Sequence, residues 1–382
     1  MPTRTTGAQM DTNHDPAGVD AAVEKGLRAA LWLVRGISGR AIAAAAASFG
    51  SLEAACAAPR EALAAAMGLG PGGTKQLLAA PDDLLSWARS HVSQVAARGG
   101  RLLLRGDDSY PDLGTLADPP EAIWLRGAMA LASDGCLDAV AIVGARRADL
   151  GAARLALGFG ASVAAAGFAV VSGGALGVDA AAHQGALDAG GRTVAILGSG
   201  VLRPLPASNR RLFSRMLASG GGLVSELPPL EPARAEHFPR RNRLIAAVAR
   251  AVVVVRAAAG SGSLYTARAM RALGRPVYVV PAPELGPASA GGEALLADGA
   301  IAVRTPAELV DALTGRQTEA ERTLDPLEGR ILAAMDPLPA GVAEVAGMLG
   351  MSASEVSRIV AGACARGLAR PAGPGRFVAV RS

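Results

Sequence analysis

Seven short apolar runs between residues 138 and 314 constrain the fold more than any other feature of the chain. They are AVAIV (139–143), FAVV (168–171), TVAIL (193–197), GLVS (222–225), AVVVV (251–255), PVYVV (276–280) and AIAV (300–303), and helical patterns separate most of them. Apolar runs of four or five residues, too short for core helices and repeated at this spacing, are the mark of strands buried on both faces. The expected fold class is therefore α/β, with a mainly parallel sheet and helices on both of its faces.

The flanking segments read differently. Residues 1–19 are rich in Thr, Asp, Asn and Gly and are expected to be disordered. Residues 20–98 read as helices only, with Leu27, Leu31 and Val34 at helical spacing, joined by Gly turns as in a helix-hairpin-helix or SAM-like domain. Such units bind phosphate through turn amides or serve as packing modules, and the many alanines favour packing. Within 100–137, RLLLRG and AIWLRG look like strands around the Pro-rich turn segment SYPDLGTLADPP. A linker is expected at 315–323. Residues 324–382 read as three helices, with Ser352 or Ser354 capping the third, and then two strands around a Gly-Pro turn, the order of a winged-helix domain. The core then occupies 99–314.

Charge and cysteine usage narrow the function. The chain of 382 residues carries a net charge of +5, and its basic side is almost all arginine, with lysine only at Lys25 and Lys75. Arginine richness fits either genomic base composition or bidentate phosphate binding. Location says more: 210–256 holds 9 Arg against 3 Glu, and this segment accounts for the basic excess of the whole stretch 138–314. Cys56, Cys136 and Cys364 are odd in number and far apart, so they suggest neither a disulfide framework nor a metal cluster. The N-terminus lacks a signal pattern, and no apolar run approaches the ~20 residues of a membrane span. A cytoplasmic, soluble protein without cofactor or metal is expected.

In a parallel sheet all C-terminal strand ends share one edge. The loops expected there are Gly144-Ala145-Arg146-Arg147, Ser172-Gly173-Gly174, Gly198-Ser199-Gly200 and, past a spacer, Ser261-Gly262-Ser263. Glycine lets backbone approach a ligand closely, and helix-start amides favour anions. Together they point to a phosphate-bearing ligand. A dinucleotide fits poorly: there is no G-x-G-x-x-G, and the second strand ends in Ser-Gly-Gly rather than a ribose-binding acid. GPGGTK at 70–75 lacks the spacing of a P-loop. Asp179, His183 and Glu226 could serve a nucleotide- or nucleoside-processing enzyme in the same crevice. Their structural reading is simpler, with Asp179 suiting a helix start and His183 one turn on able to hydrogen-bond it. No catalytic residue is assigned, and the enzyme stays as the alternative.

Polymer phosphate remains. The segment EHFPRRNR sets Arg240, Arg241 and Arg243 at the entry of a helix whose apolar face is Leu244, Ile245 and Val248. Not all three can face the crevice; Arg240 or Arg241 suits capping the sheet or pairing with Glu226 or Glu236. Asn242 suits fixing the turn. Phe238 suits base stacking or core packing equally. With aromatics at 3%, backbone clamping is expected to dominate over an aromatic platform.

These motifs resemble the DprA/Smf family of DNA-processing proteins. The matching runs include SYPDLGTLADPPEAIWLRG, VAIVGARRADLG, VVSGGALGVDAAAHQGAL, SNRRLF, LVSELPP, FPRRNRLIAAVARAVVVVRAA and SGSLYTARAMRALGRPVYVVP, in family order over 109–300. The resemblance implies an extended Rossmann-like core that binds single-stranded DNA without sequence preference, forms a homodimer and loads the RecA recombinase during natural transformation, without catalysis. It implies a DNA pocket of Arg146, Ser172, Gly173, Gly174, Asn209, Phe238, Arg241, Asn242, Arg243, Ser261, Gly262 and Ser263, and the reading of the residues themselves adds Gly144 and Arg240 to the expected DNA and phosphate site. The chain departs from the family pattern at Ala145, Leu205, Ala282 and Glu293.

Overall fold

The computed structural model describes residues 16–34, 36–113, 116–128, 138–314, 326–335, 338–365, 368–373 and 375–380. The expected linker at 315–323, together with Cys136 and Arg366, lies outside them. The chain divides into two compact units between Leu309 and Val310.

The first unit opens with six helices, α1 (Pro16–Leu33), α2 (Gly39–Phe49), α3 (Leu52–Ala57), α4 (Arg60–Ala66), α5 (Pro71–Leu78) and α6 (Leu84–Ala96). Disorder was expected through residue 19, but α1 already begins at Pro16. Proline's fixed φ suits the first helical position, where its missing N–H costs nothing. A sheet follows, built from β1 (Gly100–Leu104), β2 (Ala122–Gly127), β3 (Ala139–Gly144), β4 (Ala169–Ser172), β5 (Thr193–Ile196), β6 (Gly222–Ser225), β7 (Ala251–Val255), β8 (Val277–Val279) and β9 (Ile301–Ala302). Its helices are α7 (Leu150–Ala165), α8 (Val178–Asp188), α9 (Arg210–Ala218), α10 (His237–Val248), α11 (Ser263–Ala272) and α12 (Ala290–Ala297), and α13 (Pro306–Thr314) runs across the division of the chain.

The nine strands lie in the order β1-β2-β6-β5-β4-β3-β7-β8-β9. All seven apolar runs form strands, and every pair from β6 across to β9 is parallel. RLLLRG and AIWLRG also become strands, and they extend the same sheet with antiparallel pairings. Alternate residues serve opposite faces, as a pleat requires. Val194, Ile196, Val224, Val252 and Val254 pack with Leu244, Ile245 and Val248 of α10 and Leu264 and Met270 of α11. Ala195, Leu197 and Leu223 pack instead with Leu187 of α8 and Phe213 and Met216 of α9. From β3 the chain builds outward through β4, β5 and β6, then returns to place β7 on the other side of β3. Loops leaving the C-terminal ends of β3 and β7 therefore diverge, and a crevice opens between them.

The N-terminal helices share a core with the sheet rather than standing apart. Leu27, Leu31 and Val34 of the first helical segment pack in one cluster with Leu104, Ala122 and the fully buried Trp124. The Glu121 carboxylate, 5% exposed, accepts from Arg28 at 2.6 Å and Arg105 at 3.3 Å. Trp32 Nε1 donates to the Glu226 carbonyl at 3.0 Å. No described helix is long and apolar enough to cross a membrane.

The second unit contains α14 (Pro326–Ala334), α15 (Val342–Leu349) and α16 (Ala353–Ala365), with a sheet in the order β10 (Ala340–Gly341), β12 (Arg376–Ala379), β11 (Ala369–Pro371). The helices and the last two strands follow the sequence pattern, and β10 is an addition. Gly350, at φ +67°, turns the chain between α15 and α16. Ser352 Oγ accepts from the Glu355 amide at 3.3 Å, making Ser352 the capping serine.

Removing the Glu121 carboxylate strands Arg28 beside the shared core. Glu121→Ala is expected to cost about 1–3 kcal/mol, read as a lower midpoint of urea unfolding.

Candidate nucleic-acid interface

The crevice between β3 and β7 is a cavity of about 750 Å³. Its walls are the turn after β3 (Gly144 to Arg147), the loop after β7 (Arg256 and Ala258 to Ser263), and the facing parts of α10 and α11. Gly144 is needed for close approach: a Cβ there would run into the Val255 carbonyl of the neighbouring strand. Gly177, at φ +76°, packs against the carbonyls of Ala145 and Arg146 and so shapes the same turn from behind.

Eight of the fourteen residues named from the sequence line this cavity: Gly144, Arg146, Phe238, Arg241, Asn242, Ser261, Gly262 and Ser263. Arg146 is exposed, and its guanidinium lies over the Phe238 ring, 4.5 Å from the centroid. Stacking of this kind holds a flat cation in place while leaving its edge free to donate. Gly198 lies against the same ring, a Cβ there coming within 2.9 Å of it. Asn242 ties the two helices of the wall, its Nδ2 donating to the Gly262 carbonyl at 3.0 Å and its Oδ1 accepting from Arg241 Nε at 3.1 Å. Ser261 and Ser263 bond each other at 2.8 Å, fixing the turn into α11.

Arg241 is 4% exposed. Its Nη1 donates to the Gly173 carbonyl at 2.7 Å and also to the Ile196 carbonyl. The guanidinium thus closes the C-terminal ends of β4 and β5, which is the sheet-capping role among those open to it. Burial pulls its pKa down to about 10, with Asp179 opposing the shift and Arg146 adding to it. It stays charged at neutral pH.

The other six named residues do not line the cavity. Arg240 and Arg243 turn to Glu226, Arg240 at 3.5 Å and Arg243 in closer contact, and Arg243 also donates to the Asp118 carbonyl at 2.8 Å. The loop after β4 is satisfied internally. Ser172 donates to the Ile142 carbonyl at 2.6 Å, and the Gly173 and Ala175 amides donate to Asp179 Oδ2 at 3.1 and 3.3 Å. Asn209 donates to the carbonyls of Gly174 and Ala175 at 3.0 and 3.2 Å. A carboxylate of the chain itself therefore sits where the sequence suggested an external phosphate. The loop after β5 does not line the cavity either, and the Gly200 amide donates to the Glu231 carbonyl at 2.8 Å. The single rim of four loops reduces to the loops after β3 and β7 and the helix starts beside them, with Ala175 and Asp179 beyond β4 also on the lining.

Sequence reasoning missed Arg256 and Tyr265, which line the cavity together with Arg147 of the expected turn after β3. Arg256 follows a strand end directly, the position that should have marked it. Its backbone is left-handed, φ +58°, and its Nη1 donates to Asp149 Oδ2 at 2.6 Å. Asp149 also caps α7, its Oδ1 accepting from the Ala152 amide at 2.7 Å. That amide, with Arg256, holds the Asp149 carboxyl below its usual range. The lining arginines number four, Arg146, Arg147, Arg241 and Arg256, against Asp149 and Asp179. Of the departures from the family pattern, two meet each other: Glu293 Oε1 accepts from the Ala282 amide at 3.0 Å.

The residues of the enzyme alternative are bound to different partners. His183 does not bond Asp179. Its Nδ1 meets Thr193 Oγ1 at 2.6 Å, and because that hydroxyl donates to the Val170 carbonyl at 2.8 Å, Nδ1 carries the proton. Nε2 is buried without a partner among the described residues. Burial pushes the Asp179 and Glu226 carboxyls up, against the pull of their arginines, and pushes His183 down to about 3. Unfolded His183 titrates near 6.5. Between those values the unfolded chain binds the extra proton, so His183 lowers stability as pH falls through the window. Acidifying from pH 7 to pH 5 is expected to cost about 2 kcal/mol through this residue alone. His183→Asn, which keeps the donor to Thr193, should show a correspondingly smaller acid loss in urea unfolding at the two pH values.

The cavity thus joins fixed cations to an aromatic face on a glycine-shaped backbone, an arrangement suited to a chain of phosphates carrying flat bases. Comparisons with known proteins bear on this. The model of the family described as DNA recombination-mediator protein A matches residues 101–314. A putative DNA processing protein DprA of Mycobacterium tuberculosis is 38% identical over 300 residues, covering 71% of this chain and 74% of its own. Protein Smf of Escherichia coli K12 is 39% identical over 213 residues, 55% of this chain and 56% of its own. The X-ray structure of DNA processing protein A from Streptococcus pneumoniae superposes with a TM-score of 0.59 at 26% identity, covering 75% of this chain and 95% of its own. DNA processing protein A from Helicobacter pylori, solved for insight into its single-stranded DNA binding mode, gives a TM-score of 0.50 at 27% identity over 56% of this chain and 96% of its own. By the extent of the family match and of the mycobacterial relative, the chain belongs to the DNA recombination-mediator protein A family, the DprA/Smf proteins.

Proposed function

We propose that the chain binds single-stranded DNA in the crevice between β3 and β7, without sequence preference and without catalysis, as a recombination mediator. The observation that carries this is the Arg146 guanidinium lying over the Phe238 ring, 4.5 Å from its centroid, beside exposed Arg147 and the turn at Ser261–Ser263. Phosphates meet Arg146, Arg147 and the turn, while Phe238 offers a face to a base. Arg241, Asn242, Ser172, Gly173, Gly174 and Asn209 shape the crevice rather than touch DNA. Arg240 and Arg243 act through Glu226. The single-strand binding described for the Helicobacter pylori relative supports the ligand class.

Further steps rest on the family resemblance: loading of RecA on incoming strands during natural transformation, a homodimer, and a cytoplasmic setting. In this scheme residues 20–98 form a SAM-like packing module, 99–314 the Rossmann-like core, and 324–382 a winged helix. Residues 315–382 hold 8 Arg against 7 Asp and Glu, and Arg376 is paired with Glu344 at 2.9 Å, so the small basic excess suits an accessory role.

Neutralising phosphates releases counterions, and each phosphate contact contributes about 0.7 to the slope of log K against log salt on single strands. Arg146→Ala is expected to weaken oligothymidylate and mixed-sequence binding alike and to lower that slope by about 0.7, measured by fluorescence anisotropy at several salt concentrations. Unchanged affinity and slope would remove Arg146 from the interface. Deleting 320–382 should leave single-strand affinity within about threefold, under 1 kcal/mol; a large loss in the same assay would give the C-terminal unit a direct role.

A further inference from the structure

Tyr265 stands on the first turn of α11, is 49% exposed and lines the cavity that holds the Phe238–Arg146 pair. A single exposed aromatic ordinarily calls for no explanation. This one differs in its surroundings. The Arg268 guanidinium lies 5.9 Å from its ring centroid, at the outer limit of a cation–π contact. Neither the phenol hydroxyl nor Arg268 has a hydrogen-bond or ion-pair partner among the described residues. The ring is thus neither packed into the core nor anchored by its polar end. The cavity therefore carries two aromatic rings, one on α10 and one on α11, each with an arginine over it, and the Asn242–Gly262 bond ties the two helices together.

We propose that Tyr265 is a second stacking platform, on which a further base of the single strand bound in this cavity lies, with Arg268 held loosely enough to turn to the adjoining phosphate. This rests on the reading of the crevice as a single-strand site, and deepens it: the site grips at least two bases by their faces as well as the backbone by its charge. Base stacking needs a π face and is indifferent to base identity, so the platform adds affinity without adding sequence preference.

The test uses the full chain and oligothymidylate, with 2-aminopurine at single positions as a stacking reporter. Tyr265→Ala and Tyr265→Leu are expected to weaken binding about 5- to 150-fold, to leave the salt slope as in the parent, and to abolish 2-aminopurine quenching at one position. Tyr265→Phe should restore affinity and quenching, since the hydroxyl has no partner to lose. Rescue by Leu as well as Phe would mean that bulk alone matters and would overturn the platform. Parent affinity and quenching in Tyr265→Ala, with binding lost in Arg146→Ala, would overturn the platform while leaving the crevice as the binding site. Absence of single-strand binding by the parent would defeat both.

Discussion

The buried guanidinium of Arg241 is the contact on which the crevice depends. Strand ends expose carbonyls that the sheet cannot satisfy, and here two of them, Gly173 and Ile196, converge on one side chain reaching across from α10. Buried backbone acceptors left without partners are costly, so the contact fixes where α10 sits on the sheet. The position of α10 in turn sets Phe238 under Arg146 and brings Asn242 to the turn that starts α11. A residue with the character of a phosphate ligand thus works by holding the frame of the crevice in which the proposed phosphate contacts lie.

The anion sites of this sheet edge are divided in the same spirit. Helix starts attract negative charge, and each must be given some. At α8 the chain supplies its own, with Asp179 accepting two loop amides. At α7 it supplies Asp149, which also holds Arg256. The wall formed by the turn after β3 and the turn into α11 keeps its exposed arginines, and these border the cavity. In the proposed reading, internal carboxylates leave the switch point of the sheet, where diverging loops make room, as the place for an external polyanion.

The sheet was legible because a buried parallel strand has to be an apolar run, and valine at 252–255 admits little else. The site was less so, for reasons of geometry. Four consecutive positions from Arg240 to Arg243 look like one cluster of charge, but successive residues on a helix point about 100° apart. Residues three apart share a face, which sends Arg240 and Arg243 together to Glu226 while Arg241 turns to the strand ends. The Ser-Gly-Gly turn after β4 could not be told from an anion-binding loop without knowing that Asp179 folds back onto it. Tyr265 was hidden by the overall scarcity of aromatics, because composition says nothing about whether two of a few rings share a cavity. β10 spans two residues and carries no pattern of its own.

Hydrogen exchange with and without a saturating oligothymidylate tests the central claim most directly, since it reads backbone protection along the whole chain. The account predicts new protection confined to 144–147 and 256–266. The amides of Gly173 and Ala175, already bonded within the chain, should be unaltered. Protection that appears at the loop after β4, or along the outer face of α10 at Arg240 and Arg243, and leaves the β3 and β7 loops exchanging as before, would contradict it.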